Sequence, residues 1–128
     1  MIAIIDYNAG NVKSVKNALS RLGCGSILTD DSSIISSAEK VILPGVGEAS
    51  TAMRYLREKG LDVTIMGLKQ PVLGICLGLQ LMCSFSDEGM TPCMGIFDTN
   101  VRRFPPYGKI PHMGWNNLNR CSGPLFRG

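Results

Sequence analysis

Gly74-Ile75-Cys76-Leu77-Gly78-Leu79-Gln80 is the stretch of this 128-residue chain best suited to nucleophilic chemistry. An apolar run over Pro71–Ile75 reads as a buried strand, and an apolar helical pattern over Leu77–Phe85 begins just after the cysteine. This is the G-x-C-x-G form of a nucleophile elbow, with cysteine in the place of serine. A tight strand-to-helix turn holds the nucleophile in a strained conformation, so the residues two before and two after it must be small. Gly74 and Gly78 meet that need. The helix start beside the sulfur favours thiolate over thiol. The same residues also read as a buried thiol between two packing glycines.

Acyl chemistry needs hydrogen-bond donors aimed at a developing oxyanion. Pro44-Gly45-Val46-Gly47 directly follows the apolar run Lys40–Leu43. In a parallel sheet the loops at the carboxyl ends of the strands share one edge, so this loop and the elbow should face each other. The N–H of Leu77 can supply one donor, and that of Val46 or Gly47 a second. Taken alone, Pro44–Gly47 also reads as a plain tight turn.

The elements that must position these loops follow from the hydrophobic pattern. Ile2–Asp6 reads as a strand, Tyr7–Asn11 as a turn, and Val12–Leu22 as a helix capped by Asn11 and stopped by Gly23. A strand is expected near Ser26–Leu28 and a short helix over Ile34–Ala38, capped by Asp31 or Ser32. Lys40–Leu43 is the third strand. A helix bearing Ala52, Met53 and Leu56 ends at Gly60, another short helix precedes Gln70, and Pro71–Ile75 is the fourth strand. Strands alternating with helices predict an α/β, flavodoxin-like fold: a mostly parallel sheet flanked by helices. From Asp87 onward Gly and Pro punctuate short β-like pieces such as Val101–Phe104, so the late part is expected to be β-rich without long helices. No linker divides the chain, and its end at Gly128 falls in mid-pattern.

Composition narrows the class. The chain is 45% hydrophobic and 18% charged, ordinary for a globular domain. No apolar run reaches the ~18 residues of a membrane span, and the start lacks the basic residues and cleavage site of a signal peptide. A cytoplasmic location is expected, with neither membrane nor nucleic acid as partner. The five cysteines, Cys24, Cys76, Cys83, Cys93 and Cys121, contain no C-x-x-C pair. That argues against a zinc site or a disulfide framework. Residues 1–98 carry eight Lys+Arg against ten Asp+Glu, whereas residues 99–128 carry five Lys+Arg and no acid. The basic end suits an acidic partner surface, or is a set of solvated charges.

Gly74–Gln80 together with Pro44–Gly47 resembles the class I, triad-type glutamine amidotransferases. Two further stretches resemble one branch of that family, the glutaminase subunits of imidazole glycerol phosphate synthase. Asp6-Tyr7-Asn8-Ala9-Gly10-Asn11 is similar to their D-Y-x-x-G-N start, and Pro111-His112-Met113-Gly114-Trp115-Asn116 to their P-H-M-G-W-N segment. The resemblance implies an enzyme that hydrolyses glutamine and hands ammonia to a cyclase partner, which makes imidazole glycerol phosphate in histidine biosynthesis. It implies Cys76 as nucleophile and Val46, Gly47 and Leu77 around the oxyanion. Gly45, Gly78 and Gln80 are implied at the substrate, and Asn8, Asn11, His112 and Trp115 at the partner interface. No metal and no organic cofactor is implied.

The resemblance has one departure. The family's triad needs a His and a Glu two residues apart in a later segment, and this chain has only one histidine, His112, which sits in P-H-M-G-W-N. The 128 residues therefore read as the N-terminal portion of a single amidotransferase domain, with the C-terminal part of the family fold missing, and are expected not to turn over alone. Two alternatives stand beside this: a DJ-1-like cysteine hydrolase or peptidase relative, and a non-catalytic partner-binding remnant of the family. For His112 a structural or interface role outweighs catalysis, and Trp115 fits either a core or an interface anchor.

Overall fold

The computed structural model describes residues 1–126. Its first half is a four-stranded parallel sheet built from β1 (Ile2–Ile5), β2 (Ser26–Thr29), β3 (Lys40–Leu43) and β4 (Val72–Gly74) in the spatial order β2-β1-β3-β4. Five helices connect or follow these strands: α1 (Val12–Arg21), α2 (Ser32–Ser37), α3 (Ala49–Glu58), α4 (Leu61–Gly67) and α5 (Leu77–Met82). The order 2-1-3-4 is that of a flavodoxin-like sheet.

The strands read as near-continuous apolar runs because both faces of the sheet are covered. Ala3, Ile5, Val41 and Leu43 point to one face, against Ile35 of α2, Met53 and Leu56 of α3, Leu61 and Ile65 of α4, and Leu77 and Leu81 of α5. Ile4 and Ile42 point to the other face, where, among the described residues, α1 covers them through Leu19, Val12 and Val15. Leu73 of β4, in register with Ile42, lies beyond the reach of that helix and is 42% exposed.

Several expected elements move in detail. The helix after Cys76 stops at Met82 rather than running to Phe85, and Cys83–Ser86 forms β5. In Cys83-Ser84-Phe85-Ser86 the helical period gives way to alternation, and the ladder to two further strands outweighs one more helical turn. These are β6 (Thr91–Pro92), antiparallel to β5, and β7 (Phe97–Val101), parallel to it. The late strand is therefore Phe97–Val101 and not Val101–Phe104; with β5 and β6 it makes a three-stranded sheet, and residues 102–126 follow without a strand. Asp31, not Ser32, caps α2, accepting from Ser33 N at 2.7 Å and Ile34 N at 3.4 Å. Asn11 stands at the start of α1 but does not cap it as expected. With φ 69° its side chain caps no backbone N–H and instead accepts from the Ser14 hydroxyl. Gly23 and Gly60 do end their helices, at φ 69° and 67°.

Candidate active site

Parallel pairing of β1, β3 and β4 brings the ends of all three strands to one edge of the sheet. The turn after β1 (residues 6–11), the Pro44–Gly47 loop after β3 and the elbow after β4 therefore meet there. The contacts between them set the geometry of the site.

Cys76 adopts φ 53°, ψ −116°, a conformation that L residues other than glycine rarely hold. Three backbone hydrogen bonds fix it. Ile75 N donates to Leu43 O at 3.0 Å, tying the turn to β3, while Gly78 N donates to Ile75 O at 2.9 Å and Gln80 N to Cys76 O at 3.2 Å. The result is the elbow that the G-x-C-x-G spacing predicts. Cys76 is exposed, while Leu77 and Gly78 behind it are buried.

The glycines around the cysteine are demanded by close approach. A Cβ on Gly78 would lie 1.9 Å from Leu43 O and 2.8 Å from Pro44 O. One on Gly74 would lie 2.8 Å from the backbone of Leu79. One on Gly45 would lie 2.4 Å from Gly78 N and 2.6 Å from Leu77 Cβ. Gly45 and Gly78, placed at the substrate by resemblance, thus have the open sides of their Cα atoms turned into protein, and let the loop and the elbow touch.

Val46 is exposed, and Gly47 holds φ 112°, which only glycine adopts readily. Among the described residues no hydrogen bond uses the N–H of Val46, Gly47 or Leu77. These are the three donors expected around an oxyanion.

Tyr7, in the turn after β1, is buried at this edge. Its hydroxyl donates to Pro44 O. Burial is the main force pushing its ionisation far above the usual phenol range, and the charge of Cys76 adds to it. Tyr7, Asn8, Val46, Gly47 and Glu48 share the lining of a small hollow of about 170 Å³. Asn8, at φ 64°, therefore lies beside the Pro44–Gly47 loop.

Two acids without a sequence-stated role hold the far side of that loop. Glu48 caps α3 through its own carboxylate, accepting from Ser50 N at 3.2 Å and Thr51 N at 3.0 Å and from both hydroxyls. The Ser50 hydroxyl leads the set of bonds that draw its pKa down to about 2. Glu88, in the turn between β5 and β6, accepts from Ala49 N at 2.9 Å. The sequence signal for Glu48 was a polar Glu-Ala-Ser-Thr before an apolar helix. For Glu88 there was none, because its partner is distant in sequence.

Gln80, one turn beyond Cys76, lines a cleft of about 420 Å³ together with Ser86, Asp87, Glu88, Arg102 and Arg103. The structure does not bring His112 or Trp115 into these hollows. His112 lies in the exposed stretch after β7, where its Nε2 is 3.0 Å from Asn116 Nδ2, and it lines a separate hollow with Phe104, Tyr107 and Lys109. Trp115 is fully exposed among the described residues. Among the described residues no cluster of three or more His, Cys, Asp or Glu is placed to hold a metal ion, and no helix is long and apolar enough to cross a membrane.

The imidazole glycerol phosphate synthase subunit HisH of Bacteroides fragilis is 55% identical over 130 residues, covering 99% of this chain. The subunit of the same name from Haemophilus influenzae is 48% identical over 129 residues, again covering 99% of this chain. The chain spans 66% and 65% of the length of these two relatives. A crystal structure of a glutamine amidotransferase superposes with a TM-score of 0.71 at 21% identity, over 86% of this chain and 60% of its own, and so shares the fold. The match to the family described as Glutamine amidotransferase class-I runs over residues 3–124. It takes in all three loops of the site and the β-rich segment after them, displaces the DJ-1-like reading, and establishes that the chain belongs to the class-I glutamine amidotransferases.

Proposed function

We propose that this chain carries the nucleophile and the oxyanion donors of a cytoplasmic glutaminase that delivers ammonia to a cyclase subunit making imidazole glycerol phosphate in histidine biosynthesis. The observation that carries the reading is Cys76 at φ 53°, ψ −116°, packed through Gly78 against the loop that bears the Val46 and Gly47 N–H groups. In the proposed reaction the Cys76 thiolate adds to the carboxamide carbon of glutamine and the carbonyl electron pair moves to oxygen. The N–H groups of Leu77 and of Val46 or Gly47 receive that charge. The intermediate collapses to a thioester as the protonated amine leaves as ammonia, and water then releases glutamate and the thiol.

By the resemblance we assign Gln80 a contact with the glutamine substrate; the cleft that it lines with Asp87, Glu88, Arg102 and Arg103 includes neither Cys76 nor the oxyanion donors. The relatives are named as synthase subunits, which supports a cyclase as the partner. Exposed Tyr107, Met113, Trp115 and Leu118 lie in a stretch that carries cations and no acid. We place the docking surface there, through His112 and Trp115, with Asn8 and Asn11 at the turn that flanks the oxyanion loop. The base that moves the protons is inferred not to be among residues 1–128, which we read as a portion of one amidotransferase domain, because the one histidine, His112, lies in the P-H-M-G-W-N segment and lines a hollow apart from Cys76.

Ammonia release from glutamine by the full-length gene product, with and without its cyclase, tests the reading. Release that depends on Cys76 and rises with the cyclase is expected. Activity retained by Cys76→Ala would refute it.

A further inference from the structure

Tyr7 is a buried titratable group for which the proposed reaction has no step, yet it touches both halves of the site. It is 3% exposed, and its hydroxyl donates to Pro44 O. A Cβ on Gly45 would fall 2.8 Å from Tyr7 Oη, so the phenol oxygen sits against the loop backbone at the point where the loop meets the elbow. We propose that Tyr7 is a positioning residue, whose hydroxyl fixes the Pro44–Gly45 peptide and thereby aims the Val46 and Gly47 N–H groups at the oxyanion formed on Cys76.

The argument is one of backbone freedom. In Pro44-Gly45-Val46-Gly47 the pyrrolidine ring fixes φ of Pro44 and leaves its ψ as the first soft angle of the loop. Orienting the Pro44 carbonyl sets that ψ. Gly45 and Gly47 are permissive, so without such a clamp the loop samples many orientations of its N–H groups. Tyr7 belongs to the turn after β1, which makes its hydroxyl a strut between two strand ends. The one phenolic proton is committed to Pro44 O, so Tyr7 does not donate to substrate. Its strongly raised pKa keeps that proton in place across neutral pH.

The inference rests on the glutaminase reading, and its test separates the two. In the full-length gene product with its cyclase, Tyr7→Phe keeps the ring and removes the hydroxyl. We expect kcat for glutamine to fall about tenfold with KM changed less than about twofold, the signature of a bond whose loss is felt in the transition state. A second readout uses two Cys76 reagents. The chloroketone analogue of glutamine reacts by addition of sulfur to its ketone carbon, which puts the charge on oxygen; sulfur then displaces chloride from the adjacent CH2 through an episulfonium ion, and as the oxyanion re-forms the ketone the first C–S bond breaks, leaving an S–CH2 thioether. Iodoacetamide reacts by direct displacement of iodide and forms no oxyanion. In Tyr7→Phe the chloroketone rate should fall about tenfold while the iodoacetamide rate holds within about twofold. In the same protein, 3-fluorotyrosine at position 7 restores the hydroxyl and should restore both kcat and the chloroketone rate. If the two labelling rates fall together, if neither falls, or if Tyr7→Phe does not fold while the fluorotyrosine protein does, the bond serves structure alone and the proposal is overturned. An unsubstituted protein without Cys76-dependent glutaminase activity overturns the glutaminase reading itself.

Discussion

Gly78→Ala adds one methyl group and is expected to cost more stability than most single substitutions. An ideal Cβ there lies 1.9 Å from Leu43 O, and real Cβ atoms essentially never come closer than 3.0 Å. Relief therefore needs about 1.1 Å of separation between α5 and the end of β3, and the atoms in the way are backbone, so no side-chain rotation supplies it. Such forced separations cost about 1–3 kcal/mol. The shift also strains the Ile75 N to Leu43 O bond, worth about 1 kcal/mol. Together the loss is about 2–4 kcal/mol, against a typical domain stability of about 5–15 kcal/mol. In a domain of this size that lowers Tm by about 10 °C. Calorimetry or denaturant unfolding of the full-length gene product reads it directly. Gly67→Ala is the internal control, since a Cβ there meets nothing within 4 Å and the residue closes α4. That variant should be neutral or stabilised by about 0.5–1 kcal/mol. Equal midpoints for Gly78→Ala and Gly67→Ala would refute the close-approach argument.

Gly47→Val should leave a folded protein that has lost about 10²–10³ in glutaminase rate; the cause is φ 112°, which valine resists, since a Cβ there meets no neighbour. Near-normal turnover in the folded variant would remove Gly47 from the oxyanion site. Peptide mapping after reaction with the chloroketone analogue of glutamine should find the label on Cys76 and not on Cys24 or Cys121, which are also exposed. The Glu48 cap should make α3 acid-sensitive. Its folded pKa of about 2 lies below the ordinary glutamate value of 4.5, so its stabilisation is full above the unfolded value and is lost as pH falls from about 4.5 through 2. The Tm difference between the unsubstituted protein and Glu48→Ala should accordingly shrink over that range, and a difference independent of pH would rule the charge out. Residues 1–128 alone should be alkylated at Cys76 yet release no ammonia, and steady Cys76-dependent hydrolysis by them would show that the base lies within this chain.

Much of this site was legible because its constraints are local. The elbow needs small residues two before and two after the nucleophile, and Gly74 and Gly78 state that in seven residues of sequence. The pairing of the elbow with Pro44–Gly47 followed from a rule about parallel sheets, and the order β2-β1-β3-β4 bears it out. What stayed hidden depends on long-range contact. Glu88 meets Ala49 across 39 positions and Tyr7 meets Pro44 across 37, and no periodicity carries either pairing. The switch from α5 to β5 at Cys83 was hidden for the same reason, since apolar Leu81, Met82 and Phe85 satisfy a helical spacing until partner strands compete.

The conformation of Cys76 has to be sustained by its surroundings, because a non-glycine residue in such a region costs about 1–3 kcal/mol. The contributions that offset it all lie behind the sulfur. Leu77, Leu81 and Met82 are buried on the inner face of α5, and burying one such side chain contributes about 1.5–3 kcal/mol. Gly78 lets that face close onto β3 without a gap, and the Ile75 bond to Leu43 sets the turn against the sheet. Packing on one side of the turn thus holds the other side, where Cys76 meets solvent, in a geometry that it would not choose. The Pro44–Gly47 loop is built on the same support, for Gly45 rests on Gly78 N and Leu77 Cβ. Nucleophile and oxyanion donors therefore share one foundation. A change that loosens α5 should displace both together, whereas a change at Tyr7 should move only the donors, and comparing the two reagents that react with Cys76 separates these cases.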